Sequence, residues 1–244
     1  MPGLVDEAAA LNSLRLRPVN YDPAAAPQDG RPEGHWHVDS WHTVIGQEPP
    51  GAPVKGGLWE TACLLVGRYE FSEPRIVRAV YRADDDLLGR DMLLEGRFFG
   101  LRFYLGVRVT AVIDETRSGG GAALRVWGWS YQTLEGHLEQ GRLGYEVIKN
   151  LGTGQVTFRV SGYSRPAPIP RPLIRWGFAL FGRWTQVRFC QAIQRRLRHL
   201  VQAAQQGVPA PAPATRAGGL VLAPSAVTPH RWQRLAPGWL HPAS

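Results

Sequence analysis

The sequence predicts an α+β protein in which an antiparallel sheet packs against one long C-terminal helix. Segments in which apolar and polar residues alternate follow one another across residues 92–164, and short glycine-containing links suitable for hairpins separate them. Apolar residues then recur every three or four positions over residues 173–206, which is the spacing of an amphipathic helix. A helix of about 30 residues is roughly 45 Å long and can lie across a whole sheet.

The N-terminal part of the chain contains two segments of different character. Residues 1–34 are rich in Ala, Pro, Asp and Gly without an apolar period, which predicts a flexible lead-in that is dispensable for folding and contains at most a short helix near residues 6–14. Residues 35–42 hold two tryptophans and three histidines, and an extended chain places His35 and His37 on one face. Because no carboxylate or cysteine lies at a ligand spacing, we expect an aromatic flap on the core rather than a metal site.

Two short elements are predicted before the main sheet. Residues 61–71 form an almost continuous apolar run, which is typical of a buried strand. Ser72, Glu73 and Pro74 then combine a cap, an acidic residue and an early proline, so we predict that a short helix begins there and continues to residue 82.

The meander, its connector and the tail follow in order. The predicted strands cover residues 92–98, 101–115, 123–133, 142–149 and 155–164, and residues 150–154 form a hairpin link. Within residues 123–133, Trp127, Trp129 and Tyr131 alternate with smaller residues, so we expect their rings to share the face that points into the interior. The prolines of residues 165–172 indicate a stiff connector, and residues 207–244 are predicted to be a disordered Pro/Ala/Gly-rich tail.

A set of residues around the Trp127 strand carries a resemblance to a known family. The set consists of Ile113, Asp114 and Glu115, then Gly128, Tyr131, Thr133, Leu134, Gly136, His137, Glu139 and Gly141, and finally residues 161–166. With these motifs, residues 60–203 resemble the DUF1990 (UPF0548) family, which has no established activity and is grouped with the Bet v 1-like (START-like, SRPBCC) superfamily.

This resemblance implies a helix-grip fold, in which a curved antiparallel sheet and the C-terminal helix enclose a hydrophobic small molecule. The element order predicted above agrees with it, and the domain is expected over residues 35–206. One departure is that Arg142 and Leu143 stand where the family usually has two acidic residues, so a carboxylate cluster is not expected there.

Candidate ligand-binding residues are the aromatic side chains of the sheet and of the last helix, together with two arginines that could anchor an anion. They are Trp127, Trp129, Tyr131, Phe103, Arg97, Phe158, Tyr163, Arg165, Phe181 and Trp184. Aromatic residues at these spacings also occur in solid cores, so a filled interior and a ligand cavity both remain open.

The best candidates for catalysis are His137 and Glu139, which lie two residues apart in a glycine-bounded turn. A carboxylate close to an imidazole raises the pKa of the histidine, and such a pair can perform general acid–base catalysis. The alternative is a solvated turn whose polar side chains only hold its shape. No nucleophile motif or phosphate-binding loop is present, and no cofactor is expected.

The charge distribution adds a further hypothesis. The net charge is +8, and Glu146 is the last acidic residue, so the C-terminal helix has a basic face. That face suits weak contact with a membrane surface, whereas no motif indicates specific nucleic-acid binding. Cys63 and Cys190 lie far apart, no signal peptide is recognisable and no apolar run approaches the length of a membrane span, so a cytoplasmic protein is expected.

Three functional hypotheses follow from these observations. The first is a protein that binds a hydrophobic small molecule or lipid in a cavity between the sheet and the C-terminal helix. The second is an enzyme that uses the same cavity, with His137 and Glu139 as an acid–base pair. The third is a peripheral membrane or interaction protein that uses the basic helix.

Overall fold

The computed structural model describes residues 5–27, 35–98, 101–119, 121–170, 172–225 and 238–243. The helices are α1 (Glu7–Leu14), α2 (Leu58–Gly67) and α3 (Pro172–Gln205), with 3-10 turns at Pro23–Ala25 and Ala217–Gly219. The strands are β1 (His37–Gln47), β2 (Val77–Arg82), β3 (Asp91–Phe98), β4 (Leu101–Gly119), β5 (Ala122–Thr133), β6 (Glu139–Asn150), β7 (Gln155–Pro166), β8 (Ala214–Arg216), β9 (Leu220–Ala223) and β10 (Gly238–Leu240).

The strands form one curved sheet in the order β1-β7-β6-β5-β4-β3-β2-β9-β8, and the short β10 runs parallel to the start of β4. All other pairings are antiparallel. Register shifts between Val44 and Gly46 in β1 and between Val109 and Ala111 in β4 are bulges, which bend a strand and increase its twist. The predicted meander, the long final helix and the α+β helix-grip fold are confirmed.

Helices α2 and α3 cover the concave face of the sheet. The buried side chains of α3 recur at the predicted helical spacing and comprise Phe189, Cys190, Ile193, Leu197 and Val201. Trp129 of β5 donates a hydrogen bond from its indole Nε1 to the carbonyl oxygen of Val66 in α2 at 3.2 Å. The indole is therefore buried without leaving its polar atom unpaired.

The predicted common face of three aromatic residues in β5 is confirmed. Trp129 and Tyr131 are buried in the main core, and Trp127 packs half-buried against it. Ser130 points to the opposite face and is buried as well, because the Arg142 side chain covers it and donates from Nε to its hydroxyl at 2.9 Å.

The two elements predicted before the sheet are wrong in type. Residues 61–71 fall mostly in helix α2, which buries Ala62, Leu65 and Val66 at helical spacing, while the predicted helix is replaced by strand β2. A short apolar run fits a buried helix as well as a strand, so periodicity alone does not separate them. In β2, Ala79 and Val80 point to opposite faces and both are fully buried, which hides the alternation that identifies a strand.

The short helix expected near residues 6–14 is present as α1, but the flexible lead-in predicted around it is wrong for residues 5–27. Asp6 caps α1 by accepting hydrogen bonds from the amides of Ala8 and Ala9 at 3.0 and 3.1 Å. Leu11 and Leu14 of α1 are buried against the outer face of the sheet, in a second cluster that contains residues of β2, β3, β4 and β9. The strands on which α1 packs lie far along the chain, which is why the composition of this segment did not reveal that it is part of the folded structure. The rest of the predicted lead-in lies outside the described residues.

The segment predicted as an aromatic flap is the start of edge strand β1, which pairs with β7. Trp36 is buried, and its ring contacts those of Tyr21 and Tyr163 at centroid distances of 5.5 and 5.4 Å. His35 and His37, on either side of it, are exposed. The tryptophan thus attaches the chain before β1 to the sheet.

The tail predicted to be disordered contributes strands to the sheet. All four residues of β9 are buried, and β9 pairs with β2, while β10 pairs with β4. These strands are three or four residues long and are held by partners more than 130 residues away, so local composition does not reveal them. Residues 226–237 and 244 lie outside the described residues.

We predict that Leu14→Ala lowers the free energy of unfolding by about 2–4 kcal/mol, because the substitution leaves a cavity in the outer cluster. The matched control is Leu16→Ala, since the Leu16 side chain is 90% exposed and its loss should change stability by less than about 0.5 kcal/mol. Urea denaturation of both variants measures the difference. If both substitutions changed stability by an equally small amount, the interpretation of residues 5–27 as a flexible lead-in would be correct after all.

Candidate ligand cavity

A cavity of about 640 Å³ lies between the concave face of the sheet and α3. Its apolar wall includes Leu94, Leu105 and Leu143 from the strands and Phe189 from the helix. Cavities of this volume, with mostly apolar walls, are typical of small-molecule sites in proteins. Of the two interpretations that the sequence left open, the described residues support an interior that is not completely filled.

Glycines in the wall contribute to the cavity in two ways. At Gly162, a Cβ atom would lie 2.2 Å from the carbonyl oxygen of Arg142, so the glycine permits close approach of β6 and β7. At Gly96, by contrast, the nearest heavy atom to a Cβ would be the carbonyl oxygen of Phe103 at 3.9 Å. The missing side chain at Gly96 therefore leaves open space inside the cavity.

Four of the ten predicted ligand-binding residues line the cavity: Arg97, Phe103, Tyr131 and Tyr163. Arg97 lies near the end of β3, where its Nε donates to the Glu95 carboxylate at 3.0 Å. Phe103 pairs in register with Gly96 on one side and with Trp239 of β10 on the other. The structure thus brings these residues together around one space.

Three of the predicted aromatic residues lie in the solid core instead of the cavity wall. Phe158 stacks on Tyr145 with an interplanar angle of 8°. Trp129 is hydrogen-bonded to α2, and Trp127 packs beside Gly67. The common face of Trp127 and Trp129 with Tyr131 was predicted correctly. Whether a ring on that face contacts a helix or the cavity depends on its position along the strand, because α2 and α3 cross the sheet only at certain points.

The remaining predicted residues lie elsewhere. Arg165 stacks over the Trp36 ring at 4.3 Å and donates to the side-chain oxygen of Gln140 at 2.7 Å, away from the cavity. Trp184 is 57% exposed and carries Arg188 over its ring, so its assignment as a pocket residue is wrong. The side chain of Phe181 lies outside the described residues.

His137 and Glu139 both line the cavity but do not form an imidazole–carboxylate pair. The His137 Nδ1 accepts a hydrogen bond from the backbone N–H of Glu139 at 2.9 Å. Burial lowers the pKa of His137 to about 4, which is the opposite of the increase that the sequence predicted. The expected pair fails because the turn directs the imidazole to the backbone of Glu139 rather than to its carboxylate.

The Glu139 carboxyl behaves differently from that of an ordinary surface glutamate. Burial at the cavity raises its pKa to about 7, the neighbouring Arg183 opposes this increase, and Asp39 adds to it. Arg183 of α3 is itself paired with Asp39 of β1. The rim between β1 and α3 is therefore charged, whereas the wall below it is apolar.

The turn that carries His137 is held on both sides. The Glu135 amide donates to the carbonyl oxygen of Pro18 at 3.0 Å, and the Ala243 amide donates to that of Gly136 at 3.2 Å. Gly136 has φ of 88°, a left-handed conformation that favours glycine. The N-terminal and C-terminal segments thus position this part of the cavity wall.

Residues 20–199 match the family described as "Domain of unknown function (DUF1990)". The chain belongs to the DUF1990 family. The match begins within the predicted lead-in and includes strands β1 to β7. No protein of curated function matches the chain in sequence.

Solved structures similar to this DUF1990 protein have low sequence identity to it. Ara h 8.0201 is 13% identical with a TM-score of 0.40, over 69% of this chain and 99% of its own. A point mutant of norcoclaurine synthase from Thalictrum flavum, in complex with a transition-state analogue, is 12% identical with a TM-score of 0.45, over 70% and 96%. Major latex-like protein 151 from Panax ginseng is 11% identical with a TM-score of 0.41, over 68% and 97%.

Sequence reasoning missed several wall residues of the DUF1990 cavity. Asp39 and Trp41 come from the predicted flap, Tyr69 from the predicted strand, and Trp239 from the predicted disordered tail. Their segments were assigned to the wrong structure, so no local signal placed them at a site. Across the described residues, no group of three His, Cys, Asp or Glu side chains is arranged to hold a metal.

No helix in the described part of the DUF1990 chain is both long and apolar enough to span a bilayer. The basic face of α3 makes contacts within the protein: Arg183 pairs with Asp39, and the Nε of Arg196 donates to the carbonyl oxygen of Glu70 at 3.1 Å. Membrane contact through this helix stays a prediction.

We predict that Glu139→Gln stabilises the protein at pH 8. The folded carboxyl keeps its proton up to about pH 7, whereas the ordinary pKa is 4.5. The contribution of Glu139 to the free energy of unfolding therefore falls as the pH rises from 4.5 to 7. A neutral glutamine avoids this loss, so at pH 8 the free energy of unfolding of the variant should exceed that of the wild type by an amount on the order of 2 kcal/mol.

Urea denaturation at pH 5 and pH 8 measures this effect, and the gain should be much smaller at pH 5. The low pKa of His137 acts on both proteins and cancels in the difference. Glu135→Gln, an exposed neighbour in the same turn, is the control and should change stability by less than about 0.5 kcal/mol at either pH. A gain at pH 8 that equals the gain at pH 5 would contradict the assigned pKa.

Proposed function

We propose that this DUF1990 protein binds a hydrophobic small molecule or lipid in the cavity between the sheet and α3. The observation that carries the proposal is the open volume of about 640 Å³ beside Leu94, Leu105, Leu143 and Phe189. Water against such a wall forms few hydrogen bonds, so an apolar ligand that replaces it gains the free energy of burying apolar surface on both partners.

The polar groups at the rim can orient the ligand within the cavity. Asp39, Arg183 and Glu139 lie where the cavity meets α3, and the Gln186 amide donates to the Ser164 hydroxyl at 3.1 Å beside them. A few polar groups around an otherwise apolar space orient a ligand without supplying most of its binding free energy. This arrangement supports binding of an apolar body inside the rim.

A cavity-filling variant tests the proposal. In Gly96→Leu the new side chain should occupy the open space at Gly96, so we expect the affinity for the neutral fluorescent probe N-phenyl-1-naphthylamine to fall at least tenfold. The matched control is Gly152→Leu, because Gly152 is an exposed residue of the β6–β7 turn with an ordinary φ and lies outside the cavity wall. Fluorescence titration measures both.

Thermal melts establish that the variants are folded before binding is compared. Retained probe affinity in folded Gly96→Leu, or an equal loss in Gly152→Leu, would place the probe elsewhere and contradict the proposal. Native mass spectrometry of gently purified wild-type protein provides a second measurement, because a cavity ligand should add a discrete mass that Gly96→Leu lacks.

A second candidate function is catalysis in the same cavity with Glu139 alone as the acid–base group. The observation that favours it is the Glu139 pKa of about 7, close to the value at which a general acid–base residue works best near neutral pH. If Glu139 converts a ligand, Glu139→Gln should co-purify with a compound whose mass differs from that bound to the wild type. The same mass in both proteins would favour binding without conversion.

A further inference from the structure

Three tyrosines from different elements meet at the inner wall of the cavity. Tyr69 follows α2, Tyr131 lies in β5 and Tyr145 lies in β6. The Tyr145 ring centroid lies 6.4 Å from that of Tyr69 and 6.1 Å from that of Tyr131. Tyr69 and Tyr131 line the cavity directly, and Tyr145 is fully buried behind them.

The hydroxyl groups of this cluster have unused hydrogen-bonding capacity. Those of Tyr69 and Tyr145 are buried and have no hydrogen-bond partner of good geometry in the part of the chain that the structure describes. The Tyr145 hydroxyl is nevertheless close to those of the other two tyrosines, and the Tyr69 hydroxyl is also close to the Ser72 side chain. Buried hydroxyls are normally bonded, and leaving them unpaired is costly, so a partner supplied from the cavity would relieve this cost.

The backbone of Tyr69 directs its ring towards this point. Tyr69 has φ of 60°, a left-handed conformation that is uncommon for a residue with a bulky side chain. Its ring contacts Phe71 at a centroid distance of 5.1 Å and Trp129 at 6.1 Å. Strained residues of this kind persist where the surrounding packing holds them, and they concentrate at binding sites.

From this cluster we infer that the cavity takes an apolar molecule that carries a hydroxyl or carbonyl oxygen, and that the hydroxyl of Tyr69, which lines the cavity, binds that oxygen. The inference rests on the proposed function and names the chemical class of its ligand. A neutral oxygen fits because burial raises the pKa of all three tyrosines, which remain neutral donors and acceptors.

A matched pair of ligands isolates the contribution of the oxygen atom to the binding affinity. Farnesol and farnesene share an isoprenoid chain, and only farnesol carries a hydroxyl group. Their affinities are measured by displacement of N-phenyl-1-naphthylamine from the wild type and from Tyr69→Phe and Tyr145→Phe. We expect Tyr69→Phe to lose about fivefold to tenfold in affinity for farnesol, the value of one hydrogen bond, and to bind farnesene within about twofold of the wild type. Tyr145→Phe should change both affinities by less than about twofold, because Tyr145 is buried behind the cavity wall.

Tyr104→Phe is the control. Tyr104 is a buried tyrosine on the opposite face of the sheet, in the outer cluster, so its substitution should leave both affinities unchanged. In the ligand-free proteins, Tyr69→Phe and Tyr145→Phe should keep or raise the melting temperature, because each removes a buried hydroxyl without a well-aligned hydrogen-bond partner.

Two results would overturn the inference while leaving the proposed function intact. One is an equal change in farnesol and farnesene affinity in Tyr69→Phe. The other is a clear fall in the melting temperature of both ligand-free variants, because that would mean that the hydroxyls already have partners within the protein. If the wild type binds neither isoprenoid nor the probe, the proposed function fails and this inference fails with it.

Discussion

The cavity depends on how the C-terminal half of α3 packs into the concave face of the sheet. From Phe189 to Val201, a buried stripe on α3 fills the space against α2 and the inner strands. Phe189 belongs both to this core and to the cavity wall, so the solid interior ends where the open space begins. A close-packed core on one side holds the walls rigidly enough for a cavity to persist on the other.

A buried ion pair fixes α2, the other helix on the same face. The Glu48 carboxylate accepts hydrogen bonds from the Lys149 ammonium at 2.6 Å and from the Trp59 amide at 2.9 Å, at the start of α2. These hydrogen bonds join the end of β1, strand β6 and the helix. The negative charge of the Glu48 carboxylate also complements the dipole at the start of the helix. Since Tyr69 directly follows α2, the position of the helix determines where that ring enters the cavity.

Much of the fold could be predicted because its longest elements have strong local patterns. The paired strands from β3 to β7 and the long helix α3 contain enough residues for alternation or helical spacing to be read directly. Helix α2 was predicted as a strand and strand β2 as a helix, since both are short and buried so completely that the two patterns look alike. Strands β9 and β10, and the packing of α1 on the sheet, were missed because each is stabilised by partners distant in sequence.

Alternation, helical spacing and the family motifs were sufficient to predict the strand faces, the long helix and five residues at the cavity: Phe103, Tyr131, Tyr163, His137 and Glu139. Which rings fill the core, which line the open space, and the hydrogen bond between the His137 imidazole and the backbone became clear only from the packed structure. Local pattern defines the face on which a side chain lies. What that face meets depends on contacts between distant segments, because burial, pKa and open volume arise only when those segments pack together.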